Sequence, residues 1–163
     1  MLRERLKVLK VMNDATGRLD FNEFARMVDL SPNETMAQLS ELTKTGHLRR
    51  VGNGYGIAEK GKAALRALIP VPVGAEFEFY IGVGKPSGFS AANLVEFYEI
   101  IKRIDAASLE FHVYRKDFEM WARNTLGNPA FAEEFANMER TGLKGEALRS
   151  AITKSVESKY NLP

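Results

Sequence analysis

Asn33, Gln38 and Lys44 recur at helical spacing in a run that opens with Ser31-Pro32. Arg49, Arg50, Asn53 and Lys60 follow directly behind it. These types suit recognition better than bond breaking. Asparagine and glutamine can each offer adenine a donor and an acceptor together, and lysine can reach guanine or phosphate. Arginine on a projecting hairpin can reach phosphate or a narrow minor groove. Lys60 and Lys62, further on, add candidate contacts to a polyanion backbone. Two glutamates, Glu34 and Glu41, share the helix face and oppose phosphate; Glu34 has a capping role to absorb it, and Glu41 has none.

Other chemistries are poorly supported. His112 and Asp117 have the types of an acid–base pair. However, Leu109, Phe111 and Val113 surround His112, as expected of a core histidine satisfied by a hydrogen bond. His47 stands alone, and two isolated histidines without cysteines do not make a metal site. "IGVGKPSG" departs from a phosphate loop, because Gly84-Lys85 is followed by Pro86 and the position five before Gly84 is Phe79. It reads as a glycine turn. Phe118, Trp121, Phe131 and Phe135 at helical spacing read as core. No nucleophile elbow, zinc-protease helix or dinucleotide fingerprint is present. The expectation is no enzyme, no catalytic residue, no metal and no cofactor.

The elements that must position the basic residues are legible from local signals. Leu2, Leu6, Val8 and Leu9 mark a first helix to about Met12. Asp20 with Glu23 opens a second, whose inward face is Phe21, Phe24, Ala25 and Val28. Ser31, Pro32 and Glu34 open a third as a capping box, with Met36, Leu39 and Leu42 inward and Gly46 as its stop. Two short strands, Leu48–Val51 and residues 55–58, flank Gly52-Asn53-Gly54, a strong hairpin signal. Glu59-Lys60-Gly61 begins another helix, ended by Pro70 and Pro72. Residues 69–79, with two prolines and a glycine, read as a semi-rigid join. Beyond it come a strand over 77–81, a loop over "GVGKPSGFS" and a helix over 93–104. "AASLEFHVYR" is ambiguous between strand and helix. Helices follow from an Asp117 N-cap, from Pro129 to about Met138, and from Glu146 to about Lys159. The last carries an apolar stripe of Leu148, Ile152, Val156 and Tyr160.

The order helix, helix, capped helix, hairpin, helix describes a helix-turn-helix followed by a wing. Residues 30–65, "LSPNETMAQLSELTKTGHLRRVGNGYGIAEKGKAAL", resemble winged-helix transcription regulators of the broad MarR- and PadR-like kind. The resemblance implies a DNA-binding domain over residues 1–70, with a recognition helix at 31–45 in the major groove. The wing at 48–58 would then lie on the backbone or minor groove. Residues 77–163 resemble an uncharacterised helical domain family of archaea and bacteria through Phe79, Gly82, Ser108-Leu109, His112, Asp117-Phe118, Trp121 and Leu126-Gly127. That resemblance implies a helix for the ambiguous segment and no activity. The expected fold class is α+β, mainly α: a winged helix-turn-helix followed by a small, mostly helical domain.

Composition fits this reading. Residues 1–70 hold 12 basic and 8 acidic side chains, and residues 71–163 hold 11 and 13. The net positive charge is thus confined to the first half, as expected of a polyanion contact there. The chain has no cysteine, which suits a cytoplasmic location and rules out disulfides and thiolate metal centres. The N-terminal run lacks the uninterrupted apolar stretch of a signal peptide. The expected partners are double-stranded DNA, a second copy of the chain paired through the last helix's stripe, and a protein or small effector at the second domain, with no membrane. The rival expectation is a protein-interaction module built on the same winged helix.

Overall fold

Helix starts follow the capping residues closely. In the computed structural model, which describes residues 1–163, Asp20 accepts the backbone N–H groups of Asn22 and Glu23 and opens α2 (Phe21–Val28). Ser31 and Glu34 form a reciprocal capping box at the start of α3 (Pro32–Lys44), with Pro32 at the first helical position. Each arrangement satisfies amide groups that have no partner inside the helix. Before them lies α1 (Leu2–Asp14). Leu6, Val8 and Leu9 of α1 pack with Phe24, Ala25 and Val28 of α2 and with Leu39 and Leu42 of α3 as a small core.

Gly46 closes α3 at φ 83, a left-handed conformation that glycine adopts without penalty. The chain enters the antiparallel hairpin β1 (Leu48–Val51) and β2 (Gly54–Ile57). Val51 pairs with Gly54, so the turn centres on Gly52-Asn53, and Gly52 carries the positive φ of 58. Next come α4 (Glu59–Ala64) and a 3-10 turn over Leu65–Leu68. At Gly61 a Cβ would stand 2.3 Å from the carbonyl oxygen of His47, so only glycine lets α4 approach the hairpin base this closely.

The later segment holds a second antiparallel pair, β3 (Phe77–Gly82) and β4 (Lys85–Ala91), interrupted by irregular register after Glu78. Five helices follow: α5 (Leu94–Ile101), α6 (Ala106–Tyr114), α7 (Asp117–Met120), α8 (Pro129–Arg140) and α9 (Gly145–Lys159), with a π turn over Trp121–Thr125. Phe77, Phe79, Phe97, Phe118, Trp121 and Phe135 form a continuous aromatic core, with ring centroids mostly 4.7 to 6.4 Å apart. The chain is α+β and mainly helical, with two small two-stranded sheets. By contacts it divides into unit 1, Met1–Arg66 with Tyr160–Pro163, and unit 2, Ala67–Lys159. No helix is long and apolar enough to cross a membrane.

Several expectations need correction. "GVGKPSGFS" is mostly strand, because Lys85–Ala91 pairs with β3 despite its glycine and proline. Residues 106–114, ambiguous by pattern alone, are helical, as the resemblance implied. Asp117 is the first residue of α7 and not its N-cap, since its carboxylate is held by His112. Phe21 is 36% exposed and does not face the core. The apolar stripe of α9 offers no surface to a second copy: Leu148, Ile152 and Val156 are fully buried, and α9 packs on α5, α6 and α8.

Candidate nucleic-acid interface

The buried side of α3 is set by Thr35, Leu39 and Leu42, whereas Met36 is 48% exposed. At about 100° per residue this turns the helix by roughly 40° from the orientation its apolar residues suggest. Asn33, Ala37, Ser40 and Lys44 then form the outward face, all exposed. Sequence reasoning missed Ser40. The residue that turns the helix is Thr35, which is fully buried although polar, with its hydroxyl unpaired.

Gln38 falls on the flank. It is half-buried, and its side-chain oxygen accepts a hydrogen bond from Arg5 Nε of α1 at 3.3 Å. It ties two helices together and is withdrawn from the outward face. The two glutamates are also engaged. Glu34 accepts the Ser31 N–H at 2.9 Å, and this hydrogen bond holds its carboxyl below the usual carboxylate range. Glu41 meets Lys44 Nζ at 3.3 Å.

The hairpin separates its arginines. Successive residues of a strand point to opposite faces, so Arg49 and Arg50 cannot both serve one surface. Arg50 pairs across the hairpin with Tyr55. Its guanidinium lies 4.8 Å from the Tyr55 ring centre, and its Nη1 donates to the phenol oxygen at 3.0 Å. The Tyr55 hydroxyl in turn lies 3.9 Å from Met36 Sδ. Arg50 is therefore held on the α3 side of the hairpin. Arg49 stands opposite Gly56, on the other face with Val51. Asn53 is exposed at the turn. Lys60 is occupied: its Nζ donates to the Thr45 carbonyl at 2.8 Å, satisfying the C-terminal end of α3. Of the seven expected contacts, Asn33, Lys44 and Arg50 gather toward one surface and Asn53 stands at the turn. Gln38 and Lys60 are hydrogen-bonded within the fold, and Arg49 faces away.

His47, at the base of the hairpin, is 1% exposed. Its Nε2 donates to the Asn161 carbonyl at 2.6 Å, which leaves Nδ1 to accept from the Thr45 hydroxyl at 2.7 Å. Burial pushes its pKa down, against a smaller opposing effect of the Asn161 bond. This neutral, fully bonded ring is a structural joint of unit 1.

An apolar groove of about 790 Å³ lies beside the hairpin turn. Phe21, Met36 and Val51, three of the chain's exposed large apolar side chains, line it together with Tyr55. Arg18, Asp20 and Asn53 also line it.

In unit 2, His112 is 2% exposed. Its Nε2 accepts the Tyr80 N–H at 2.8 Å, so Nδ1 carries the proton and donates to Asp117 Oδ2 at 2.9 Å. Burial holds its pKa low, outweighing Asp117. The ring is a neutral bridge between a strand and a helix. No protein-family model, curated protein or solved structure matches the chain.

Proposed function

We propose that unit 1 is a winged helix-turn-helix that binds double-stranded DNA with sequence preference, and that the chain is a transcriptional regulator. In this reading α3 enters the major groove and the β1–β2 hairpin lies on the backbone or minor groove. The observation that carries it is the fixed position of Arg50. Tyr55 holds this cation beside α3, whose outward residues Asn33, Ala37 and Ser40 are uncharged and whose Lys44 is paired with the exposed Glu41. A guanidinium held in advance loses less freedom on meeting phosphate.

The test is a mobility shift on genomic fragments, including the region upstream of the gene itself, across a range of salt concentrations. Each phosphate neutralised contributes about 0.9 to the slope of log affinity against log salt on B-DNA. Arg50→Ala is expected to flatten that slope by about 0.9, and Arg49→Ala to leave it unchanged. Equal effects of the two substitutions overturn the placement of the hairpin. No shift at low salt with folded protein overturns DNA binding.

The apolar groove favours a second reading, a winged helix that docks a protein. Phe21, Met36 and Val51 expose apolar surface that DNA phosphates would not cover. Under that reading Met36→Lys abolishes partner binding and Arg50→Ala does not.

A further inference from the structure

The second large cavity belongs to unit 2 and lies between β3 and the α6–α7 turn, with a volume of about 670 Å³. That is within the range of small-molecule sites, roughly 300–1,000 Å³. Tyr80, Phe111 and Trp121 line it, and the exposed side chains of Val83 and Met120 give it an apolar rim.

The ionisable groups facing the cavity are Glu76, Glu78, Tyr80, His112, Arg115 and Asp117. The last three neutralise one another. Asp117 Oδ2 takes the His112 Nδ1–H at 2.9 Å and lies 3.5 Å from Arg115 Nε, whose guanidinium also covers the Phe111 ring at 4.8 Å. His112 is locked neutral by the Tyr80 N–H. This leaves Glu76 and Glu78 without a cation. Glu76 accepts only the Gly74 N–H at 2.9 Å, and Glu78 is exposed on β3 with no ion pair. The Trp121 indole cannot supply a donor, because its Nε1–H is committed to the Ala75 carbonyl at 2.8 Å.

A cavity with aromatic walls, an apolar rim and two uncompensated carboxylates selects against anions and against fully polar molecules. Aromatic faces and carboxylates both attract cations. We propose that this cavity binds a small organic cation carrying an apolar ring, with the ammonium group at Glu76 and Glu78 and the ring against Tyr80, Trp121 and Met120. The site lies wholly within unit 2 and does not depend on what unit 1 binds.

Trp121 is the chain's single tryptophan, so its fluorescence reports this cavity without labelling. Phenethylammonium, phenylacetate and ethylammonium are titrated into the full chain, with calorimetry in parallel. Phenethylammonium is expected to give a saturable change with a Kd of about 1 mM or below. Phenylacetate, which keeps the ring and reverses the charge, gives none, and ethylammonium, which lacks the ring, binds far more weakly. Glu78→Gln is expected to weaken phenethylammonium about tenfold, as the loss of a charged hydrogen-bond partner does. Met120→Lys, which sets a cation on the rim, is expected to weaken it as well. Both positions are exposed, so both variants keep the wild-type circular dichroism spectrum. Phenylacetate binding as tightly as phenethylammonium overturns the proposal. So does wild-type affinity in Glu78→Gln, or the absence of any saturable signal up to roughly 10 mM.

Discussion

Replacing His112 with phenylalanine tests whether the buried ring acts as a neutral structural bridge. A phenyl ring keeps the contacts with Phe77, Phe111 and Phe118, whose centroids lie 4.9 to 5.2 Å from the imidazole. It cannot accept the Tyr80 N–H or donate to Asp117. An orphaned, largely buried N–H costs about 1–3 kcal/mol. Asp117 is 31% exposed and keeps Arg115 at 3.5 Å, so its loss adds a smaller amount, about 0.5 kcal/mol. The expected destabilisation at pH 7.5 is therefore about 1.5–3.5 kcal/mol, read by urea unfolding followed through Trp121 fluorescence. A second signature is pH. Burial lowers the folded-state pKa of His112 from the ordinary 6.5. Its contribution to stability is thus fully present above pH 6.5 and is lost as pH falls from there toward the lowered value, because the unfolded chain takes up the proton first. At pH 5.5 that loss reaches at most about 1.4 kcal/mol. His47, also held low, affects both proteins alike and cancels in their difference. The gap between wild type and variant should therefore narrow on acidification. A variant as stable as wild type at pH 7.5, or a gap that widens at pH 5.5, refutes the bridge.

Gly61→Ala forces a methyl group to 2.3 Å from the His47 carbonyl oxygen, which is fixed by the Ala58 N–H at 3.0 Å. Alanine's helix preference returns about 1 kcal/mol against an overpacking cost of about 3 kcal/mol, so a net loss of about 2 kcal/mol is expected in thermal unfolding. Asn33→Ala and Ser40→Ala are expected to change which DNA sequences bind, while Gln38→Ala changes stability and leaves sequence preference intact; selection from a random-sequence pool separates these outcomes. The full chain is expected to show a salt slope of only about two to three per copy of unit 1, and a slope of six or more on B-DNA would mean that its phosphate contacts lie outside α3 and the hairpin.

Legibility in the sequence tracked the distance over which the deciding contact acts. The Asp20 cap, the Ser31–Glu34 capping box and the Gly46 stop are fixed by residues within a turn of each other, and they form as read. The strand β4 was hidden because Pro86 and Gly88 read as loop, and only its pairing with β3 makes it a strand. Asp117 has the type of an N-cap, but His112, five residues earlier, claims its carboxylate. Met36 is more apolar than Thr35, yet Thr35 sits over the core and is fully buried. Composition ranks the two in the wrong order because helix position outweighs side-chain type. The rotation of α3 followed from that one exchange. The opposite faces of Arg49 and Arg50 were legible in principle, since strand alternation needs no structure.

The rotation of α3 also bears on its glutamates, which are the main electrostatic objection to DNA binding. With Thr35 inward, Glu34 moves to the flank, where the capping box uses its charge at the positive end of the helix. Glu41 is paired with Lys44, but both side chains are exposed, at 48% and 71%. Such exposed pairs are worth about 0–1 kcal/mol, so Lys44 exchanges to phosphate at little cost. Lys62 stands in the same relation to Glu59 at 3.4 Å. Arg50 has no carboxylate partner among its contacts and is held in place by Tyr55. Three cations is a small electrostatic contribution, and on the proposed reading it would leave affinity dependent on the uncharged outward face formed by Asn33, Ala37 and Ser40. A surface with few charges and several short polar or methyl-bearing side chains distinguishes base edges more than it grips the backbone. If unit 1 binds DNA as proposed, this arrangement predicts a weak general affinity together with a marked preference among sequences.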